Sequence, residues 1–223
     1  MLYQLKQVLN QQQLTTARQL LQSKQFKDGR HTAGQQARRG KSNLEYSAQP
    51  GQSEPVNNLV MGALISHPVY LNAGLPKRIA APYYSLYKQG MAYDTHVDNP
   101  IMGVGHQYRS DLAITIFLSS PDDYQGGELE VEMPYGTQLI KGQRGDGVMY
   151  PASTRHQVRE VTAGERLVAV TWMQSLVPEA EKRMLLYDLY RARQALLDTD
   201  PDSETSRRID HSYVNLVRMW SQV

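Results

Sequence analysis

Apolar positions change their period twice along this chain. Over residues 7–24, Leu9, Ala17, Leu20 and Leu21 make one stripe among Gln, Arg and Lys, which predicts an amphipathic helix. Residues 24–55 are rich in Gly, Gln, Arg and Ser, and neither period persists, so loops with at most a short strand are expected. Asn57 then precedes Leu59, Val60, Ala63 and Leu64, a short helix that stops before His67-Pro68. From about Lys77 to Leu176 the texture becomes β-rich, with Gly, Pro and Asp clusters between runs. Strands are predicted over residues 79–87, 111–118, 128–132, 137–140, 147–150, 156–161 and 166–172. Strand after strand without a helical period between them argues for a sandwich or jelly roll, not a parallel βαβ sheet. The tail is helical again: Leu185, Leu189, Ala192 and Leu196, then Ile209, Tyr213, Leu216 and Trp220, each follow a 4-3-4 spacing around the breaker Asp200-Pro201-Asp202. Such a pair predicts a hairpin covering either a core face or a second subunit, and a homodimer is one arrangement that satisfies it.

Composition narrows the class. At 223 residues the chain fits one domain, and 40% hydrophobic residues are enough for one good core. A net charge of +2, with Lys and Arg spread along the chain, leaves no large single-sign field. The basic stretch Arg38, Arg39, Lys41 lacks interleaved aromatics, so no nucleic-acid partner is expected. The absence of cysteine excludes disulfides, Cys-based zinc sites, iron–sulfur clusters and a thiol nucleophile. The opening MLYQLKQVLNQQQ is no secretory signal, and no apolar run approaches the ~20 residues of a membrane span. A soluble, cytoplasmic protein without a membrane partner is the expectation.

Candidate chemistry starts at Tyr93-Asp94-Thr95-His96-Val97-Asp98. Residues two apart on a strand share a face, so His96 and Asp98 reach one point in space. An imidazole and a carboxylate are two legs of a metal site; a salt-bridged surface strand end is the competing reading. A third leg comes from elsewhere if Gly147-Val148-Met149-Tyr150-Pro151 is a strand and turn that returns His156 at the start of the next strand. Two His and one carboxylate leave open positions on one face of an octahedron, which suits non-haem iron(II). Ten residues on, Arg166 heads the apolar run Leu167-Val168-Ala169-Val170. A guanidinium there needs an anion: Glu128 or Asp146 of the protein, or the distal carboxylate of a bound oxo-acid.

Together these residues resemble the iron(II)/2-oxoglutarate-dependent dioxygenases of the prolyl-4-hydroxylase-like branch. Asp28-Gly29-Arg30-His31-Thr32-Ala33-Gly34 and the terminal helices, ending at Tyr213-Val214-Asn215-Leu216-Val217-Arg218-Met219-Trp220, are similar to the bacterial PKHD-type hydroxylases. The resemblance implies a double-stranded β-helix core over residues 77–176, an N-terminal helical and loop segment over 1–76, and a C-terminal helical extension over 177–223. It implies His96, Asp98 and His156 as ligands of one Fe(2+), Arg166 as the grip on the C5 carboxylate of 2-oxoglutarate, and Tyr87, in Tyr87-Lys88-Gln89-Gly90, as a hydroxyl donor to the same cosubstrate. O2 is the second cosubstrate and L-ascorbate the reductant. The implied reaction hydroxylates a small-molecule or peptide substrate, with oxidative decarboxylation of 2-oxoglutarate to succinate and CO2; an intact Asp98 favours hydroxylation over halogenation. Phe117 stands near where some relatives carry a tyrosine, which opens the question of what assists Arg166. Gly126-Gly127 reads as a tight turn and Trp172 as core packing. His106, in a Gly-rich loop, is a candidate for the substrate entrance. The rival readings are a cupin-like metal enzyme that uses no oxo-acid and a non-catalytic binding module on the same fold.

Overall fold

Side-chain alternation along the strands builds two cores on opposite faces of one sheet. A computed structural model describes residues 1–21, 25–32, 37–47, 49, 51–103 and 105–223. The N-terminal part contributes β1 (Tyr3–Leu5), α1 (Gln11–Leu20), β2 (Phe26–Asp28), β3 (Leu44–Tyr46), α2 (Glu54–Leu64) and α3 (Pro68–Gly74). Next come β4 (Pro76–Ile79), β5 (Tyr83–Lys88), β6 (Tyr93–His96), the small hairpin β7 (Ile101–Met102) and β8 (Tyr108–Arg109), and β9 (Leu112–Phe117). The chain continues through β10 (Tyr124–Gly126), β11 (Leu129–Met133), β12 (Gly136–Ile140), β13 (Gly147–Pro151), β14 (His156–Val158) and the long β15 (Val161–Ser175). It ends in α4 (Ala180–Thr199) and α5 (Glu204–Trp220).

The main sheet runs β1-β13-β9-β15-β5-β3-β2, with β4 and β10 also paired to β15, and the second sheet runs β12-β11-β14-β6. Every pairing is antiparallel, as a jelly roll requires. Ala113, Phe117, Val148, Tyr150 and Val168 point from the main sheet toward Leu129 and Val131 of the second. Their alternate neighbours Ile114, Ile116, Met149, Ala169 and Met173 pack outward on Leu14, Val60, Leu64 and Tyr70 of the N-terminal helices. This two-sided burial is why β9 is apolar almost throughout and has no exposed residue. Each such side chain contributes about 1.5–3 kcal/mol.

Several boundaries differ from the sequence expectation for identifiable reasons. α1 begins only at Gln11, because Asn10 and Gln13 exchange side-chain-to-backbone hydrogen bonds of 2.9 Å in a capping box; positions 22–24 of the predicted helix lie outside the described residues. Residues 24–55 hold two strands, and β1 and β3 join the main sheet. Pro68 opens a further helix, α3, at its first turn. The predicted strand 79–87 breaks into β4 and β5, whereas 166–172 lengthens into β15. In α4 the expected stripe is rotated: Leu185 is 57% exposed, and Arg183 and Leu186 face inward. Arg183 donates from Nη1 to the carbonyls of Val177 and Pro178, at 2.6 and 2.7 Å, while its Nε is buried without a hydrogen-bond partner. α4 and α5 form the expected hairpin, closing with Tyr213, Leu216 and Trp220 over Leu75, Val177 and Leu186. Among the described residues no helix is long and apolar enough to cross a membrane.

Candidate active site

Antiparallel register brings the first histidines together. His156, opening β14, is the cross-strand partner of His96, which ends β6. Their ring centroids are 4.3 Å apart. Asp98 lies two residues beyond His96 on the same side, its carboxylate Oδ1 3.8 Å from His156 Nε2, while Val97 between them turns outward. One ligand atom from each of His96, Asp98 and His156 falls within 4.8 Å of the others, the spacing a single ion would span.

Neighbouring groups set the donor atoms. His96 Nδ1 is 2.8 Å from the carbonyl of Asp94, and His156 Nδ1 is 2.8 Å from the carbonyl of Thr154. A carbonyl only accepts, so each Nδ1 donates to it, which leaves Nε2 as the nitrogen each ring would offer to a metal. Burial, with His156 alongside, pulls the His96 pKa down to about 4 and keeps that ring neutral. Tyr93 stacks on His96 at 3.8 Å and fixes the plane of its ring. Asp98 Oδ2 accepts a 2.8 Å hydrogen bond from Trp172 Nε1, leaving Oδ1 as the oxygen available to an ion. Burial raises the Asp98 pKa, against the pull of His156 and of the hydrogen bond from Trp172. Trp172 was expected to be core packing; its indole N–H makes it part of the site.

The second centre is Arg166, 1% exposed on β15. Among the described residues no carboxylate stands within ion-pair distance, and its Nε has no hydrogen-bond partner. Asp146 is taken by Lys6 at 2.7 Å and by the Gln7 amide, and Glu128 makes no ion pair among the described residues. The guanidinium instead lies 5.1 Å from the ring of Tyr87, its cross-strand partner, and 6.0 Å from that of Phe117. Burial pushes the Tyr87 hydroxyl up to about 12, against the pull of Arg166, so it stays a donor. Tyr124, unremarked in the sequence, is buried beside Tyr87, with Arg166 acting on its hydroxyl though no aligned hydrogen bond joins them.

Arg166, Tyr87 and the three metal-type residues line one cavity of about 720 Å³. Gly103, Tyr108, Tyr83, Ile101 and Met102 also line it, whereas His106 is exposed outside its wall. Lys41, Asn43 and Glu45 line it too, which no motif announced.

A jelly roll with a facial His, Asp and His set defines a class, and comparison with known proteins places the chain within it. The 2OG-Fe(II) oxygenase superfamily matches residues 82–174. A PKHD-type hydroxylase of Thioalkalivibrio sulfidiphilus is 42% identical over 100% of both chains, and one of Saccharophagus degradans 38% identical over 100% of both. Among solved structures, a Pseudomonas putida prolyl-4-hydroxylase aligns with TM-score 0.59 at 18% identity, covering 78% of this chain and 92% of its own. HygX of Streptomyces hygroscopicus, solved with nickel and 2-oxoglutarate, aligns with TM-score 0.55 at 15% identity over 80% and 84%. The chain belongs to the PKHD-type hydroxylases. It is an iron(II)- and 2-oxoglutarate-dependent dioxygenase, with Fe(2+) and 2-oxoglutarate as the family's cofactor and cosubstrate.

Proposed function

We propose that His96, Asp98 and His156 hold the iron, and that Arg166, aided by Tyr87, holds the C5 carboxylate of 2-oxoglutarate. The observation that carries this reading is a buried guanidinium without a carboxylate partner, in the same cavity as the His, Asp and His set. A buried charge of that kind costs several kcal/mol unless an anion meets it. Iron bound there supplies oxygen activation coupled to decarboxylation of 2-oxoglutarate to succinate and CO2, and so hydroxylation of a C–H bond. The protein's part is placement. Backbone carbonyls fix both imidazoles, Trp172 holds one oxygen of Asp98, and Leu129, Val158, Val168 and Val170 keep water from the walls. The substrate mouth is assigned to Tyr83, Ile101, Met102 and Tyr108 in place of His106, and L-ascorbate is the expected reductant. In domain terms residues 77–176 carry the chemistry.

Purified anaerobically with iron(II), the protein should develop a weak visible charge-transfer band when 2-oxoglutarate is added. Iron binding without that band sinks the cosubstrate assignment and favours a metal enzyme that uses no oxo-acid. Asp98→Ala should abolish uncoupled succinate release; undiminished turnover would show that the ligand set is wrong.

A further inference from the structure

Lys41 is 7% exposed and reaches the strand of the first two metal-type residues from outside the main run of strands. The second sheet ends at β6, so the outer side of that strand is left to whatever the chain lays beside it. What lies there is the stretch leading into β3. Ser42 N donates to the Ala92 carbonyl at 2.8 Å, and Lys41 pairs antiparallel with Tyr93. Just before them, a Cβ on Gly40 would collide with the Asp94 carboxylate, so this backbone runs against the residue whose carbonyl orients His96. Further on, Leu44 and Glu45 pair with Leu86 and Ser85 of β5, which ties the stretch to the main sheet. The Lys41 ammonium is thereby fixed from both sides, and Glu45 Oε1 meets it at 2.5 Å. A lysine almost never lies this deep unpaired, and burying the pair costs desolvation of both partners. An edge position alone needs no such charge.

The charge has a neighbour that matters to the metal. Lys41 Nζ lies 5.2 Å from the centroid of the Tyr93 ring, a cation against an aromatic face. Tyr93 in turn stacks on His96, with 3.8 Å between ring centroids and 22° between planes. His156 has no stacked ring among the described residues: Tyr150 meets it edge-on, at 5.2 Å and 67°. It needs none. β14 is flanked by β11 and β6, and His156 is 6% exposed, whereas His96 is half-buried at the end of the last strand. A hydrogen bond from Nδ1 to a carbonyl fixes one ring atom and leaves the ring free to tilt about it. A stacked neighbour removes that freedom. We infer that Lys41 is a positioning residue of the metal centre: pinned by Glu45, it holds Tyr93 against His96 and so keeps Nε2 aimed at the ion. This rests on His96, Asp98 and His156 as the ligand set.

The test titrates the full-length, metal-free protein with cobalt(II) and follows the two histidine Nδ1–H resonances of the cobalt-loaded form by NMR. Lys41→Met with Glu45→Gln removes the cation without stranding a carboxylate. Cobalt affinity should fall about three- to tenfold, and the His96 resonance should move while that of His156 stays. The visible bands follow the donor atoms and should keep their positions. Lys41→Arg keeps the cation and should stay within about twofold of the native affinity. In a Tyr93→Leu background the Lys41 and Glu45 changes should have no further effect, the mark of action through that ring. If the double variant loses its circular dichroism, Lys41→Gln, which can still donate to Glu45, carries the same expectations. Unchanged affinity in a folded variant, equal movement of both histidine resonances, new visible bands, an arginine variant as weak as the others, or an undiminished effect without Tyr93 overturns the proposal. Native protein that binds no cobalt, or binds it equally well after Asp98→Ala, sinks the ligand set instead, so the two failures are distinguishable.

Discussion

Trp172 shows how one hydrogen bond would set the proposed metal ligand Asp98. With its indole N–H on Oδ2, Asp98 can offer only Oδ1 and so take one coordination position. Trp172→Phe should therefore weaken metal affinity about 10- to 100-fold while the circular dichroism spectrum is retained, as titration with cobalt(II) will read. Arg166→Ala separates binding from stability. No carboxylate of the protein is left behind, so the melting temperature should hold or rise, while the dissociation constant for 2-oxoglutarate rises roughly ten- to a hundredfold. A loss of stability without a change in affinity would make Arg166 structural. Tyr87→Phe should also weaken 2-oxoglutarate binding. In the native protein Tyr87 imposes no pH dependence from pH 7 to 9, since its hydroxyl keeps its proton until about 12. Tight local spacing suggested that His96 and Asp98 sit together, and the ten-residue step suggested His156 and Arg166; all four line one cavity. Trp172 was not legible in the sequence, because its partner lies 74 residues away and an indole in a strand looks like packing.

Among the elements, β strands with two buried faces were easy to find as apolar runs. β3 escaped because it is only three residues long and the stretch leading into it is polar: Lys41, Asn43 and Glu45 alternate as a strand does, but without the apolar residues by which alternation is recognised. The stripe in α4 was misplaced for a related reason, an inward arginine whose Nη1 donates to two carbonyls where a leucine was expected. The Gly126-Gly127 turn was read correctly as structural. Both residues have positive φ, +66° and +65°, and a Cβ on Gly126 would fall 2.1 Å from the Glu160 carbonyl oxygen. Glu160 leads directly into β15 and Arg166. Gly126→Ala should cost about 1–3 kcal/mol, read as a lower urea midpoint with unchanged slope.

For the whole molecule, burial of tyrosine is a stability term with a definite pH range. Burial raises Tyr3 and Tyr87 from 10.0 to about 12, and pushes Tyr70, Tyr84, Tyr93 and Tyr150 up as well. A folded value above the unfolded one means the folded state holds more protons above pH 10. Stability from these groups is therefore complete below pH 10 and falls as pH rises through the folded values. Tyrosinate absorbance should appear together with loss of circular dichroism in one cooperative alkaline transition. Gradual ionisation of a folded protein near pH 10 would contradict this. The C-terminal hairpin closes over Leu75 and Val177 of its own chain, so its inner stripe needs no second subunit.

β3 has one more consequence. The 2OG-Fe(II) oxygenase match begins at residue 82, after the chain has already laid Lys41, Asn43 and Glu45 against the cavity. The three metal-type residues, Arg166 and Tyr87 all fall inside that match, while one wall of the same cavity is supplied from outside it. Exchanging residues 41–46 for those of a relative should therefore reshape that wall, while the spectrum of the cobalt and 2-oxoglutarate complex follows residues 82–174.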